Sequence, residues 1–491
     1  MLKQQLEISF DSHHELYAML VPKDNELRRL AEICDYSFIR SELASKYSEF
    51  MGRTAEDPVR LFKYLVLKMY SGLSDVDVVK HSLYDLSYKY FLGLAPEETD
   101  LINPSTLSKF RRLRLVDQNL FQMLVGKTLE VAKCRGVKLS GALIVDSTHT
   151  EACYGMHKPV EVLRMHKKNL LAALRKMGAE QCIPDLAEHT PAGDDLMAEV
   201  ECCQRLCEHL RRQKCLEGVL AVQERMRNID EDLEDLAEEG EIALDKDARI
   251  GHKSQAHTFN GYKTHIGMDR DSRLVTACVV TSGEAADGPQ LDALVEQTRQ
   301  AGMEVESVTG DTAYSLTDNL EACRERGITL YSKLHPVISN GTRKDDRGFF
   351  LNKDSGMMVC PQGHQSVRKT RATFHPSYKG KVYSRTRMIY YFDVEKCKRC
   401  PQRDGCYSGG KCKSYSVAIQ KGIHKEHREF QQSEEFRLNY RERYRIEAKN
   451  GELKTVYNYG KAESFGLQRM QLQCAVSVFT CNLRRILRIT K

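Results

Sequence analysis

Four side chains near the C-terminus combine a carboxylate, two cations and a phenol at spacings that suit phosphate chemistry. They are Tyr440, Arg443, Glu447 and Lys454, within the stretch NYRERYRIEAKNGELK. Successive residues of an α-helix turn by about 100°, so one continuous helix would place all four in a narrow stripe. Opposite charges three or four residues apart also stabilise ordinary solvent-facing helices. Spacing alone therefore leaves two interpretations open, a solvated helix face and an active-site helix.

Two aspartates follow short apolar runs that predict buried strands. GALIVDSTHTEA carries a run that ends in Asp146, and VESVTGDTAYS carries one that ends in Asp311. Between them, residues 262–268 and 274–281 predict a hairpin, and DGPQLDALVEQTRQAG predicts a helix. Strand, strand, strand, helix, strand, helix, strand is the order of the ribonuclease H-like fold, in which the first and fourth strands are neighbours. That order would bring Asp146 and Asp311 together, and a glutamate on a later helix could complete the cluster.

Three carboxylates on separate elements suit metal-assisted cleavage of phosphodiesters. Cleavage by two metal ions needs hard oxygen ligands on ions roughly 3.5–4 Å apart. Mg²⁺ prefers carboxylates and keeps several waters, whereas His and Cys favour Zn²⁺ or softer metals. The alternatives are a turn residue at a strand end for each aspartate and a surface residue for Glu447.

The C-terminal stretch matches a known pattern without a gap: Tyr, two residues, Arg, three residues, Glu, six residues, Lys. This pattern resembles the signature of the DDE transposases of the bacterial insertion-sequence-four superfamily and its relatives. IVDSTHTEA resembles their first-aspartate motif, VTGDTAYS their second, and GYKTHIGMD the strand between them. RTAEDPVRLFKYLVLKMYSGLSD and NPSTLSKFR resemble the helical N-terminal domain of one branch. The resemblance covers nearly the whole chain, and residues 155–245 are its least familiar part.

The resemblance implies an activity and a role for each residue of the motifs. The implied ligands of two Mg²⁺ ions are Asp146, Asp311 and Glu447. The implied DNA contacts near the cleaved transposon end are Tyr440, Arg443 and Lys454. Such an enzyme binds terminal inverted repeats, hydrolyses phosphodiesters to expose 3′-hydroxyls, and joins those ends to target DNA. A homodimer on DNA is implied because two transposon ends are handled together.

Four other polar residues lie near these motifs and are not assigned to the site. His149, three residues beyond the first aspartate, is interpreted as a solvent-facing histidine or one that supports a ligand. Lys263 and His265 alternate on the predicted middle strand, where they face DNA or form a solvated strand face. Asp287 is interpreted as a helix-start residue rather than a fourth ligand.

Cysteines cluster in a basic segment between the second aspartate and the glutamate. CKRCPQRDGC contains a Cys-x2-Cys pair, which is a standard spacing for zinc ligands. The predicted Zn²⁺ ligands are Cys360, Cys397, Cys400 and Cys406, with Cys412 or His364 as substitutes. The alternative is a cluster of reduced thiols without metal. The segment resembles the cysteine-rich segment of some of these transposases, and a structural Zn²⁺ would order an insert that is poor in apolar residues.

Length and charge limit the class of protein and its partner. The 491 residues suggest about two to four domains. No apolar run approaches a membrane span and the start lacks a signal peptide, so we expect a soluble cytosolic protein. The resemblance to bacterial transposases implies the bacterial cytoplasm, with association with the nucleoid when the protein acts. Residues 361–430 hold 16 Lys and Arg against 5 Asp and Glu, whereas residues 228–241 are acidic. This distribution predicts a polyanionic partner, most simply DNA, with solubility as the alternative.

The predicted fold is α/β, with a ribonuclease H-like catalytic core, a helical N-terminal domain, a helical insert and a Cys-rich β-type insert. In the N-terminal domain, Asp57 and Ser105 are the predicted helix caps. The predicted boundaries are 1–135 for the N-terminal DNA-binding domain, 136–155 and 250–338 for the first parts of the core, 156–249 for the helical insert, 339–435 for the basic Cys-rich insert, and 436–491 for the C-terminal catalytic helix region.

Three rival functions are also compatible with the sequence. A domesticated transposase would keep its affinity for DNA without catalysis. A ribonuclease H-like nuclease would cut DNA without joining it. A zinc-dependent interaction protein would use the acidic segment, residues 228–241, to meet a partner.

Overall fold

A computed structural model shows a mixed α/β protein. Residues 240–241 of the acidic segment and 339–347 of the predicted Cys-rich insert lie outside the part that the structure describes. The described residues are 11–47, 55–115, 119–153, 157–184, 195–239, 245–252, 257–334, 348–352, 355–375, 377–378, 381–382, 385–418 and 422–490.

Eight α-helices precede the first strand within the described residues. Asp57 caps the fourth of them, as predicted, because its carboxylate accepts from the backbone N–H of Val59. The predicted cap Ser105 is wrong. Asn103 caps that helix instead, since Pro104 already occupies the first helical position. The helices are α1 Asp11–Leu20, α2 Glu26–Ile33, α3 Phe38–Leu43, α4 Pro58–Ser71, α5 Asp75–Tyr84, α6 Leu86–Leu92, α7 Pro104–Arg114 and α8 Asn119–Cys134.

The largest sheet has six strands and mixes parallel and antiparallel pairs. Its strands are β1 Ala142–Glu151, β2 Arg249–His252, β3 Thr258–Asp269, β4 Val275–Ser282, β5 Ser307–Thr309 and β6 Thr329–Tyr331. Their order is β2-β3-β1-β5-β6, and β4 pairs with β3. β1 runs antiparallel to β3 and parallel to β5, which is parallel to β6. The predicted hairpin of β3 and β4, and the predicted pairing of the first and fourth core strands, are confirmed.

Helices cover both faces of this sheet because β1 alternates its apolar side chains between them. Leu143 and Val145 pack on one face with the helices α12 Leu291–Gln300 and α13 Thr317–Glu325. Ile144 packs on the other face with α17 Tyr444–Val456 and α18 Leu467–Ile489.

The C-terminal helix α18 takes part in two hydrophobic cores. One side of the helix packs against the sheet through Met470, Cys474, Val478 and Cys481. The other side packs among the N-terminal helices through Leu472, Ala475, Val476, Phe479, Leu483, Ile486 and Leu487. The ring centroids of Phe479 and Phe62 are 5.5 Å apart, edge to face. The N-terminal helices therefore close their core only with this last helix in place.

Three helices between β1 and β2 form a separate bundle, which we call the helical insert. They are α9 Pro159–Lys176, α10 Leu196–Arg211 and α11 Leu220–Glu239. Their apolar faces share one core, in which Leu163, Leu170 and Leu206 are buried. Glu199, fully buried on α10, forms ion pairs with Arg164 and Lys167 of α9. The predicted helical character of this segment is confirmed.

The cysteine-rich segment is mainly β-structure, as predicted. Its elements are β7 Phe350–Asn352, β8 Met357–Val359, β9 Arg368–Phe374, β10 Ser377–Tyr378, β11 Lys381–Val382, β12 Arg385–Phe392, α14 Val394–Lys398 and β13 Lys413–Ala418. β12 pairs with both β9 and β13, over a small core of Met358, Tyr390 and Phe392. The helices α15 Gly422–Phe430 and α16 Glu434–Arg441 then lead back to the main sheet. No helix in the described part of the chain is both long and apolar enough to cross a bilayer.

Candidate active site

Strand pairing brings the two predicted aspartates side by side. Ile144 of β1 stands in parallel register with Thr309 of β5, and each aspartate follows two residues later. Asp311 lies just beyond the end of β5, where its Oδ1 accepts from the N–H of Ala313 at 2.9 Å. The prediction that the first strand ends at Asp146 is wrong, because β1 continues to Glu151 through its pairing with β3.

Burial and nearby carboxylates disfavour the charged form of both aspartates. Burial raises the pKa of Asp146 to about 6; the Ser147 N–H offsets part of this rise, and the carboxylate of Asp311 adds to it. Burial also raises the pKa of Asp311, and the carboxylate of Asp287 contributes in the same direction. The guanidinium of Arg443 lowers both pKa values. Two crowded carboxylates of this kind favour a cation between them.

The residues of the C-terminal motif do not share one helix, so the predicted single stripe is wrong. Tyr440 belongs to α16, whereas Glu447 and Lys454 belong to α17. Between the two helices, backbone N–H groups donate to carbonyls three residues earlier, as in a 3-10 helix. The N–H of Arg443 donates to the carbonyl of Tyr440, and the N–H of Ile446 donates to the carbonyl of Arg443. Burial raises the pKa of Tyr440, and the carboxylates of Asp311 and Glu447 add to this rise, so the two halves of the motif stay close across the break.

Glu447 and the two aspartates share one cationic neighbour, Arg443. Arg443 Nη2 lies 2.6 Å from Glu447 Oε1, and the glutamate side chain is 53% exposed. The same guanidinium acts on the pKa values of Asp146 and Asp311. The structure thus gathers the three predicted carboxylates around one arginine.

Asn450 is a site residue that the sequence analysis missed. It lies on α17 three residues after Glu447, and its Nδ2 donates to Asp146 Oδ2 at 3.1 Å. The side chain is nearly buried, so this bond holds α17 against β1. Its position on the same helix face as Glu447 was the only signal available in the sequence.

The outer residues of the motif lie on either side of the carboxylates. The Tyr440 ring stacks on Phe436 with centroids 5.6 Å apart, and Lys333 Nζ lies 4.8 Å from the Tyr440 centroid. Lys454 Nζ lies 3.3 Å from Nδ1 of His149, which also packs against the ring of Phe259. His149 is therefore half-buried beside a predicted DNA contact, in agreement with a supporting role rather than a solvent-facing one.

Asp287, Lys263 and His265 form a partly buried polar cluster near the two aspartates. Asp287 precedes a short 3-10 turn, as its predicted helix-start position requires, but its carboxylate does not cap that turn. It lies instead 3.2 Å from Lys263 Nζ and 3.4 Å from His265 Nδ1. His265 is fully buried, so a solvated strand face is wrong for this residue. Burial lowers its pKa to about 4.

The donor atoms of the two aspartates fit Mg²⁺, which prefers carboxylate oxygens. Among the described residues, no three or more His, Cys, Asp or Glu side chains converge closely enough to hold a metal ion. In the structure, the Glu447 carboxylate forms an ion pair with Arg443 and does not join the two aspartates in a three-carboxylate cluster.

The four predicted zinc ligands line one cavity of about 520 Å³ in the cysteine-rich segment. They are Cys360, Cys397, Cys400 and Cys406. Burial raises the pKa of Cys397, and the other three thiols influence it as well. His364 also lines the cavity, whereas Cys412 is exposed and lies outside its lining. The structure thus brings the predicted four cysteines into one neighbourhood and separates Cys412 from them.

Comparison with known proteins agrees with this geometry. Residues 15–113 match the family described as a transposase domain (DUF772), and residues 235–483 match the transposase DDE domain. No curated protein matches the chain in sequence. Among solved structures, a cryo-EM structure of a piggyBac transposase synaptic complex with hairpin DNA is 8% identical, over 94% of this chain and 78% of that one, with a TM-score of 0.28. That likeness is too remote to carry an argument, but the DDE match alone spans half of the chain. The chain therefore belongs to the DDE transposases.

Proposed function

We propose that this transposase cuts DNA at the ends of its element and joins the exposed 3′-hydroxyls to target DNA. Asp146, Asp311 and Glu447 would hold two Mg²⁺ ions. The observation that carries the proposal is the parallel register of β1 and β5, which aligns the two aspartates at one edge of the sheet. The strand order β4-β3-β1-β5-β6 also supports a ribonuclease H-like core.

The metal ions would activate the attacking oxygen and stabilise the leaving oxygen. The chain's own residues position the ligands. Asn450 holds the Asp146 carboxylate through its 3.1 Å hydrogen bond. Arg443 pairs with Glu447 and lowers the pKa values of Asp146 and Asp311 in the protein alone. We propose that it turns to a DNA phosphate when Glu447 binds metal.

The remaining DNA contacts follow from the same arrangement. Lys454 would bind a phosphate beyond the cleaved bond, and Tyr440 would hydrogen-bond or stack near the transposon end. The helical N-terminal region, residues 1–135, would bind the inverted repeat. Two copies would act together, one at each end of the element, on the DNA of the bacterial nucleoid.

The test is cleavage of labelled DNA that carries the element's own ends, with Mg²⁺ present or chelated. Glu447→Gln is nearly isosteric and removes one anionic ligand. Glu434→Gln is the matched control, because Glu434 is an exposed acid on the preceding helix. We expect the wild type and the control to cut at the element boundary only with metal, and Glu447→Gln to bind DNA without cutting it.

Other results would favour a rival function. Equal cutting by Glu447→Gln and wild type would remove Glu447 from the catalytic set. DNA binding without cutting by the wild type would favour a domesticated DNA-binding protein. A supplied pre-cut end that is never joined to target DNA, by a protein that does cut, would favour a nuclease.

We also propose that Zn²⁺ binds between Cys360, Cys397, Cys400 and Cys406. Their shared cavity and the influence of the other three thiols on the pKa of Cys397 support this ligand set. Elemental analysis of the purified protein is expected to give one zinc per chain. Cys400→Ser is expected to lose it and Cys412→Ser to retain it. Zinc-free wild-type protein, purified without chelators and with reduced thiols, would refute the site.

A further inference from the structure

A deep cleft of about 1340 Å³ lies between the N-terminal helices, the helical insert and the C-terminal segment. Its walls come from α4, α5 and α7 on one side, and from α9 and α11 of the insert on another. Residues 245–247 and 463–476 form the rest of its lining. No residue of the proposed catalytic set belongs to this lining. We refer to it as the three-walled cleft.

Three of the seven acids that line the three-walled cleft, Asp75, Glu231 and Glu463, have a lysine or arginine partner. Asp75 pairs with Lys68 and Arg111, and Glu463 pairs with the same lysine at 2.7 Å. Asp232 pairs with His166 of α9. Asp245 accepts the Tyr262 hydroxyl and backbone N–H groups, and Glu231 lies 4.0 Å from Lys246. Glu224 is an exposed acid on α11, and Asp247 accepts the backbone N–H of Leu467 at 2.7 Å.

Several cations of the same cleft are not neutralised in this way. Lys109 and Arg112 project from α7, and Lys176 projects from α9; all three are exposed. Arg469 lies over the ring of Phe465. Within the described residues, none of these four cations forms an ion pair with an acid. The cleft therefore presents unneutralised positive charge from three walls, which suits a polyanion.

The cleft lies in line with the candidate active site. β1 carries Asp146 and ends at Glu151, whose backbone pairs with Gly460 and Ala462, just before the lining begins at residue 463. Five residues of strand span about 17 Å, which equals roughly five base-pair steps of DNA. Lys454 lies between the two ends of this path, beside His149.

We propose that the three-walled cleft binds the phosphate backbone of element-end DNA, roughly five or more base pairs from the cleaved bond. The helical insert then serves as one wall of the DNA channel. This inference rests on the proposed function and extends it, because it gives residues 159–239 a role that the catalytic motifs do not supply. Backbone contacts of this kind position the duplex and do not read its sequence.

The test measures duplex binding with Mg²⁺ withheld, so that the DNA stays intact. Lys176→Glu changes a cation in the cleft, and Lys214→Glu is the matched control, an exposed lysine of the insert outside the lining. One lost phosphate contact lowers affinity about eightfold at 0.1 M salt and reduces the slope of log K against log salt by about 0.9. We expect both changes for Lys176→Glu with a long duplex, similar losses for Lys109→Glu, and neither change for Lys214→Glu.

Duplex length and wild-type behaviour separate the possible outcomes. With a duplex that extends only about three base pairs from the cleavage site, Lys176→Glu is expected to bind as the wild type does. Equal affinities of Lys176→Glu and Lys214→Glu for the long duplex would overturn the cleft while wild-type cleavage still upholds the proposed function. Failure of the wild type to bind any duplex would overturn both.

Discussion

The side chain of Asn482 on α18 forms hydrogen bonds with the backbone of β4 in the way a neighbouring strand would. Its substitution therefore measures how much this helix stabilises the sheet. The pairing of β3 with β4 shifts register between Gly267 and Met268, which leaves an irregularity beside Val275. Asn482 is fully buried there. Its Oδ1 accepts from the N–H of Val275 at 2.9 Å, and its Nδ2 donates to the carbonyl of the same residue at 2.8 Å.

The expected cost follows from the groups left without partners. Asn482→Leu keeps a similar volume but leaves a buried N–H and a buried C=O of Val275 without these partners. Each unsatisfied group costs about 1–3 kcal/mol, so the stability of this region is expected to fall by about 2–6 kcal/mol. Thr480→Val is the matched control, because the buried Thr480 hydroxyl bonds only to a carbonyl of its own helix. It is expected to cost about 1 kcal/mol or less.

Hydrogen exchange of the peptide that contains β4, followed by mass spectrometry, measures this loss of stability and needs no tryptophan fluorescence. The chain has no tryptophan, so that choice avoids an introduced probe. A loss of 2 kcal/mol in the opening free energy speeds exchange by about 30-fold. Exchange in Asn482→Leu that is no faster than in Thr480→Val would show that the side chain does not replace strand pairing, and would refute the reasoning.

Three further perturbations test other parts of the molecule. Burial lowers the pKa of His265 to about 4, so the unfolded chain binds a proton at this residue more tightly than the folded chain does. The contribution of His265 to the free energy of unfolding is therefore fully present above pH 6.5 and is about 2 kcal/mol smaller at pH 5. His265→Gln is expected to remove this pH dependence in thermal-shift titrations. Glu199→Gln leaves the charge of a buried lysine unpaired and is expected to cost about 3–5 kcal/mol, seen as protease cleavage within the helical insert, whereas the exposed Glu201→Gln should leave the insert resistant. Gly261→Ala would place a Cβ 2.1 Å from a backbone oxygen of β1 and is expected to prevent soluble folding, whereas Gly126→Ala, on an open helix face, should be tolerated.

The sequence predicted the features that depend on local pattern. Apolar runs predicted the strands that carry Asp146 and Asp311, and the order of elements predicted that those strands pair. The break before α17 escaped prediction because Arg445 is held by the carbonyl of Arg270, which is distant in sequence. Asn450 escaped for the same reason, since its partner lies 304 residues away. Contacts of this range leave no periodic trace in a single sequence.

The part that α18 takes in two hydrophobic cores affects how the protein can fold during its synthesis. A ribosome makes residues 467–489 after the N-terminal helices and the strands of the sheet, and domains generally fold from the N-terminus while synthesis continues. Here the N-terminal helices and the sheet both depend on the same later segment, because its two sides complete their two cores. A nascent chain that still lacks α18 therefore has an incomplete core among its N-terminal helices and an incomplete core on its sheet. We therefore expect a premature stop before residue 467 to leave both of these cores incomplete.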